Sequence, residues 1–153
     1  MEFGLVALGG TFDIIHAGHI ALLEKGFSIS KKVIIGLTSD QFAQNEGKEL
    51  LNGFQKRLST LEFKIKEKFP NSEFEIIKLD NYFGPAVIEG DVEAIVVSTE
   101  TSSRGELLNR LRSEKNQPPA AIVIVPMILA KDGNRISTTR IRNSEIDAQG
   151  NIC

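Results

Sequence analysis

Short apolar runs rich in β-branched residues recur along the chain at positions 3–8, 33–37, 74–79, 94–97 and 121–125. Such runs leave too few polar positions for one face to meet water, so they predict strands of a parallel sheet covered on both sides. The segments between them follow another period. Phe54, Leu58, Leu61 and Ile65 repeat at steps of four, three and four, which puts them on one helical face that should cover the sheet. Helices are also predicted over 17–26 and 102–114, the second with Leu107, Leu108 and Leu111 as its buried stripe and its arginines elsewhere. Pro118 and Pro119 stop that helix before the last strand, because proline lacks an amide hydrogen and clashes with the preceding turn. No repeat, low-complexity tract or linker interrupts the alternation. The expected fold is α/β, a single Rossmann-like domain over 1–153 built on a doubly wound, parallel, five-stranded sheet. Sheets of that kind bind ligands beyond the carboxyl ends of their strands, where the strand order reverses.

Composition narrows the class. A chain of 153 residues, 41% hydrophobic, can bury one continuous core without disulfide or metal staples. The sole cysteine is Cys153, so neither an intrachain disulfide nor a cysteine cluster for zinc can form. No apolar run approaches the roughly 20 residues of a membrane span, and the first residues lead into a strand pattern rather than an export leader. A cytoplasmic protein with neither membrane nor nucleic acid as partner is expected, since a formal charge of −2 is the wrong balance for either surface. The charge is unevenly spread, however. Six of the seven arginines lie between Arg104 and Arg142, and residues 101–142 carry eight basic side chains against three acidic ones. One end of the sheet should be electropositive and suited to a polyphosphate.

Two motifs point to the same ligand. GGTFDIIHAGH, residues 9–19, falls between the first strand and the first helix. Gly9 and Gly10 let the backbone approach a bulky anion, and Thr11 offers it a hydroxyl and an amide. His16 and His19, three apart at the opening of a helix, project toward one region near the positive end of its dipole. There they can donate hydrogen bonds to phosphoryl oxygens as charge grows on them, while Gly18 leaves room for phosphate or base. Two histidines with no third ligand nearby fall short of a zinc site, and no metal-binding residues are assigned. The second motif, ISTTRIR at 136–142, sets Ser137 and Thr138 ahead of an expected helix, where capping and anion binding use the same geometry.

The first segment resembles the T/HxGH signature of the nucleotidyltransferase superfamily, and the second resembles its ISTTxI motif. GLTSD at 36–40, AIVVSTET at 94–101, LLNRLR at 107–112 and EIDAQGN at 145–151 extend the likeness over nearly the whole chain. Together these segments resemble the archaeal phosphopantetheine adenylyltransferases. The resemblance implies transfer of the adenylyl group of ATP, with Mg2+ accompanying the nucleotide, to 4′-phosphopantetheine, giving dephospho-coenzyme A and pyrophosphate. It makes His19, Thr11 and Lys48 the catalytic groups at the α-phosphate. Gly9, Gly10, Thr11, Phe12, His16, Gly18 and His19 become nucleotide-binding, as do Ile136, Ser137, Thr138, Thr139 and Arg140 toward the β- and γ-phosphates. Bacterial relatives carry an RGLR segment where this chain reads STET at 98–101. Arg104, Arg110 and Arg112 are the replacements expected for its charge, with Arg112 at the nucleotide, Arg104 beside Thr11 and Lys48 at the acceptor, and Glu100 and Asn109 the candidates for ribose or adenine. GNRISTT at 133–139 also resembles the cytidylyltransferase form of the second motif, which keeps that chemistry open as an alternative. A catalytically silent nucleotide-binding module is the other alternative, although it has no need of His19 and Lys48 together.

Overall fold

The computed structural model describes residues 2–84, 87–88, 90–126, 141, 148 and 150. Five strands form one sheet: β1 (Phe3–Gly10), β2 (Ser30–Thr38), β3 (Phe74–Leu79), β4 (Ala94–Ser98) and β5 (Ala121–Val125). Among the described residues, four helices with complete bounds lie between them: α1 (Ala17–Ile29), α2 (Asp40–Asn45), α3 (Phe54–Lys68) and α4 (Ser103–Glu114). Every pairing is parallel and the strand order is β3-β2-β1-β4-β5. The chain winds outward from β1 to β3, then crosses back to continue on β1's other side. The order therefore reverses between β1 and β4, where a crevice opens at the strands' carboxyl ends. This is the expected α/β, Rossmann-like, doubly wound parallel sheet.

The central strands are apolar at consecutive positions because both faces are covered, and the pleat sorts neighbours to opposite sides. Val6, Leu8, Val33, Ile35, Leu37, Ala94 and Val96 face a core completed by Leu23 of α1 and Leu61 and Ile65 of α3. Ala7, Ile34, Ile95 and Val97 face the opposite core, completed by Leu108 of α4. The stripe expected on α3 thus covers the sheet, with Phe54 and Leu58 packed at its margin.

Three elements depart from expectation. Strand β1 runs on through both glycines, with Gly9 and Gly10 in register with Gly36 and Leu37. Helix α2 was not foreseen; six residues are too few for a hydrophobic period to show. On α4 the arginines are not all outside: Arg112 is only 2% exposed and lies with Gly105 and Leu108 on the buried face.

Candidate active site

Helix α1 begins with two histidines that cap it reciprocally. His16, in extended conformation, accepts a hydrogen bond at Nδ1 from the Gly18 N–H at 3.1 Å, and its own N–H donates to His19 Nδ1 at 3.2 Å. Two of the otherwise unpartnered amides at a helix start are thereby satisfied by imidazoles in place of the usual hydroxyl or carboxylate. The rings stack with centroids 3.8 Å apart and planes 24° from parallel. Gly18 makes this possible: a Cβ there would lie 2.9 Å from His16 Cε1. Its missing side chain thus accommodates His16, and its N–H is engaged with His16 Nδ1.

Both imidazoles are neutral near pH 7. Burial lowers the His16 pKa to about 4. Burial also pushes His19 well below its usual value, assisted by the charges of His16 and Lys48 and opposed by a hydrogen bond with the Ile14 main chain. With Nδ1 accepting in each neutral ring, the proton sits on Nε2, and in His19 that Nε2–H is the group left for the Ile14 main chain.

Beyond Gly10 the chain turns through Phe12, whose φ of 49° lies in the left-handed region. That turn buries the Phe12 ring to 1% exposure and tilts it against His19 at 4.8 Å. Nucleotide contact through the Phe12 side chain is thereby excluded; the ring belongs to the core, and it supports His19 from behind. The Thr11 hydroxyl accepts from the Thr38 hydroxyl at 3.2 Å, joining the ends of β1 and β2.

A cavity of about 100 Å3 sits at this end of the sheet. At roughly 10–15 Å3 per water position, it admits several waters or a slender organic chain. Gly9, Gly10, Thr11, Gly36, Thr38, Ile77, Leu79 and Val97 are among its walls, and Lys48, Glu46, Tyr82 and Arg104 also line it. Gly36 leaves room for the Leu79 side chain, since a Cβ would fall 2.4 Å from Leu79 Cδ1. The Arg104 guanidinium lies 5.1 Å from the Tyr82 ring centroid, and Phe42 meets the same ring edge-on at 5.3 Å. The Tyr82 phenol is raised above its usual range, first by its hydrogen bond with the Glu46 carboxylate. Thr11, Lys48 and Arg104 are thus brought to one cavity, and Lys48 is near enough to His19 for its charge to be felt there.

Other expected residues lie elsewhere. The Arg112 guanidinium donates to the carbonyls of Pro118 at 2.9 Å, Val87 at 2.7 Å and Gly90 at 3.2 Å, so it ties loops together beneath α4 and is not offered to a nucleotide. Asn109 donates to the Ala120 carbonyl and accepts from the Ala120 N–H, at 3.0 and 2.7 Å, which occupies its amide with the start of β5 rather than a base. Glu100 is exposed in the turn after β4, away from the cavity walls. Ile136, Ser137, Thr138, Thr139 and Arg140 lie outside the described residues. From that part of the chain, the Ala148 carbonyl accepts from the Ala17 N–H at 2.9 Å, at the start of α1. Among the described residues no group of three His, Cys, Asp or Glu side chains is arranged to hold a metal, and no helix is long and apolar enough to cross a membrane.

Sequence reasoning left Arg57, Asp13 and Asn52 without a role, yet they link the loops bearing Thr11 and Lys48. The legible signal was an arginine set within the apolar stripe of α3, between Phe54 and Leu58.

Residues 7–144 match the model of the cytidylyltransferase-like family. A phosphopantetheine adenylyltransferase of Pyrococcus abyssi is 42% identical over 99% of this chain and 96% of its own length. Another, from Methanopyrus kandleri, is 37% identical over 95% of this chain and 92% of its own. Among solved structures, a protein of unknown function from Archaeoglobus fulgidus superposes with a TM-score of 0.72 at 30% identity, covering 80% of this chain and 88% of that one.

Proposed function

The chain belongs to the phosphopantetheine adenylyltransferases of the cytidylyltransferase-like family, and we propose that it transfers the adenylyl group of ATP to 4′-phosphopantetheine, releasing pyrophosphate and forming dephospho-coenzyme A. The observation that supports this reading is a stacked pair of neutral imidazoles opening α1, with Lys48 near enough for its charge to reach His19 and itself lining, with Thr11 and Arg104, one cavity at the carboxyl end of the sheet.

The acceptor is a phosphate monoester with a second pKa of roughly 6, so its oxygen is largely ionised at neutral pH and needs no strong base. The task left to the protein is to hold two repelling anions in line and to stabilise charge on the α-phosphoryl group. His19, Thr11 and Lys48 take that role, with His16 holding His19 by its stacked ring and main-chain N–H. A neutral donor suits the position, because it strengthens its hydrogen bond as charge develops without locking the ground state in an ion pair. Lys48 and Arg104 meet the acceptor phosphate, while the apolar walls of the cavity receive its slender chain.

Residues 136–140 take the β- and γ-phosphates; the contact between Ala148 and Ala17, eight residues past Arg140, supports a tail that returns to the phosphate end of α1. Mg2+ carried mainly on the triphosphate's oxygens and water would need no dedicated carboxylate cage. When bound, the ion neutralises part of the triphosphate charge.

Purified protein given ATP or CTP, each with phosphopantetheine, glycerol 3-phosphate or nicotinamide mononucleotide, separates the readings. Pyrophosphate should appear with ATP and phosphopantetheine. Release with CTP and another acceptor would assign the chain to a sibling activity, and no release with any pair would leave a nucleotide-binding module.

A further inference from the structure

Two buried charged side chains beside the site take no part in the chemistry described above. Arg57 is 1% exposed and Asp13 is 8% exposed, and neither is paired with the other. Both are spent on main chain. From Arg57, Nη1 donates to the Thr11 carbonyl at 3.0 Å and the Thr38 carbonyl at 2.8 Å, Nε donates to the Asn52 carbonyl at 3.1 Å, and Nη2 pairs with the Asp40 carboxylate at 2.7 Å. The Asp13 carboxylate accepts from the main-chain N–H groups of Leu51 and Asn52 at 2.8 and 3.0 Å. The Asn52 side-chain amide returns donors to the Asp13 carboxylate and carbonyl, both at 3.1 Å.

A buried charge is costly to desolvate, and well-packed hydrophobic residues of similar volume often serve stability as well or better. What these groups provide is a fixed relation between two loops. One loop presents Thr11; the other presents Lys48. The second is fastened at both ends: the Lys48 N–H donates to the Ala43 carbonyl at the end of α2, and the Leu51 N–H to Asp13. Only Glu49 and Leu50 lie between those two fixed points, and α2 is itself held through Asp40 by Arg57.

We propose that Arg57, with Asp13 and Asn52, is a positioning residue for adenylyl transfer, locking the Lys48 loop to the Thr11 loop so that both side chains address one phosphate. The proposal rests on the reading of Thr11 and Lys48 given above. Arg57 touches no substrate in this scheme; it acts through the main chain of the residues that do.

A kinetic double-mutant cycle with ATP and phosphopantetheine tests it. Arg57→Lys keeps a buried cation but has one nitrogen for four acceptors, and Asn52→Ala loosens the same joint without touching the guanidinium. Each should lower kcat roughly 10- to 100-fold, the penalty of about an ångström of misplacement, with the KM for ATP near the parent value. In a Lys48→Ala background the same changes should cost clearly less than in the parent, because one of the two loops no longer carries the group it positions. Thermal unfolding of each variant fixes an assay temperature at which all are folded, and Asn52→Ala carries the test if Arg57→Lys does not fold. Losses that multiply in full across both backgrounds, while Lys48→Ala itself is impaired, overturn the positioning role and leave the reading of Lys48 intact. A Lys48→Ala enzyme with parental kcat overturns both.

Discussion

At the scale of single residues, the informative fact is that His16 and His19 are uncharged and share a proton arrangement set by main-chain amides. Replacing His19 by alanine should lower kcat roughly 10²- to 10³-fold, the usual cost of losing one preorganised donor to a developing oxyanion, and single-turnover rates would show it. Retention of the parental rate would remove His19 from the chemistry. The histidines also make stability depend on pH. Folded His16 titrates at about 4, whereas an unfolded histidine titrates at roughly 6.5. Between those values the unfolded chain binds more protons, so stability is full above the upper one and falls as pH drops toward the lower. His19, depressed first by burial, adds in the same direction. Tm followed from pH 7.5 to 4.5 should therefore decline, and decline less in His16→Asn, which keeps an N-cap acceptor but cannot titrate. These roles were legible because strand, glycines, hydroxyl and paired histidines stand in one short segment. Phe12 and Gly18 each also serve a neighbouring ring, a task invisible in a motif.

At the scale of elements, sequence reasoning located the strands and the long helices, because their periods repeat over enough residues to be counted. It missed α2 for want of length and stopped β1 short of Gly9 and Gly10, since glycine carries no apolar signal although its main chain pairs with β2. Arg112 shows why charge clustering overreached. The arginine count near α4 was correct, but one guanidinium is engaged with the carbonyls of Val87, Gly90 and Pro118. Arg112→Met should accordingly lower stability by about 1–3 kcal/mol through acceptors left buried without a donor, measured by denaturant titration. Its kcat and KM for ATP should match the parent at temperatures where the variant is folded. A raised KM with unchanged stability would return Arg112 to the nucleotide.

For the whole molecule, hydrophobic pattern predicted a parallel sheet but not its strand order, which depends on the handedness and direction of crossovers that periodicity does not encode. Observed as β3-β2-β1-β4-β5, that order sets β1 at the centre and delivers the helix α1 start, the Lys48 loop and the Arg104 helix to one end. A ligand there that binds only the folded state should stabilise the entire domain. ATP with magnesium at a hundredfold excess over its Kd gives about 2.7 kcal/mol, a rise of roughly 5–10 °C in Tm for a chain of this size, with CTP giving less at equal concentration. A larger shift with CTP would favour the cytidylyl alternative. The reciprocal cap of α1 has a longer reach. Because the imidazoles that serve turnover also open the first helix, selection for folding and selection for catalysis act on the same two positions. A descendant relieved of its reaction would still be held to nitrogen or oxygen acceptors at 16 and 19, and would keep the outline of an active site after the activity had gone.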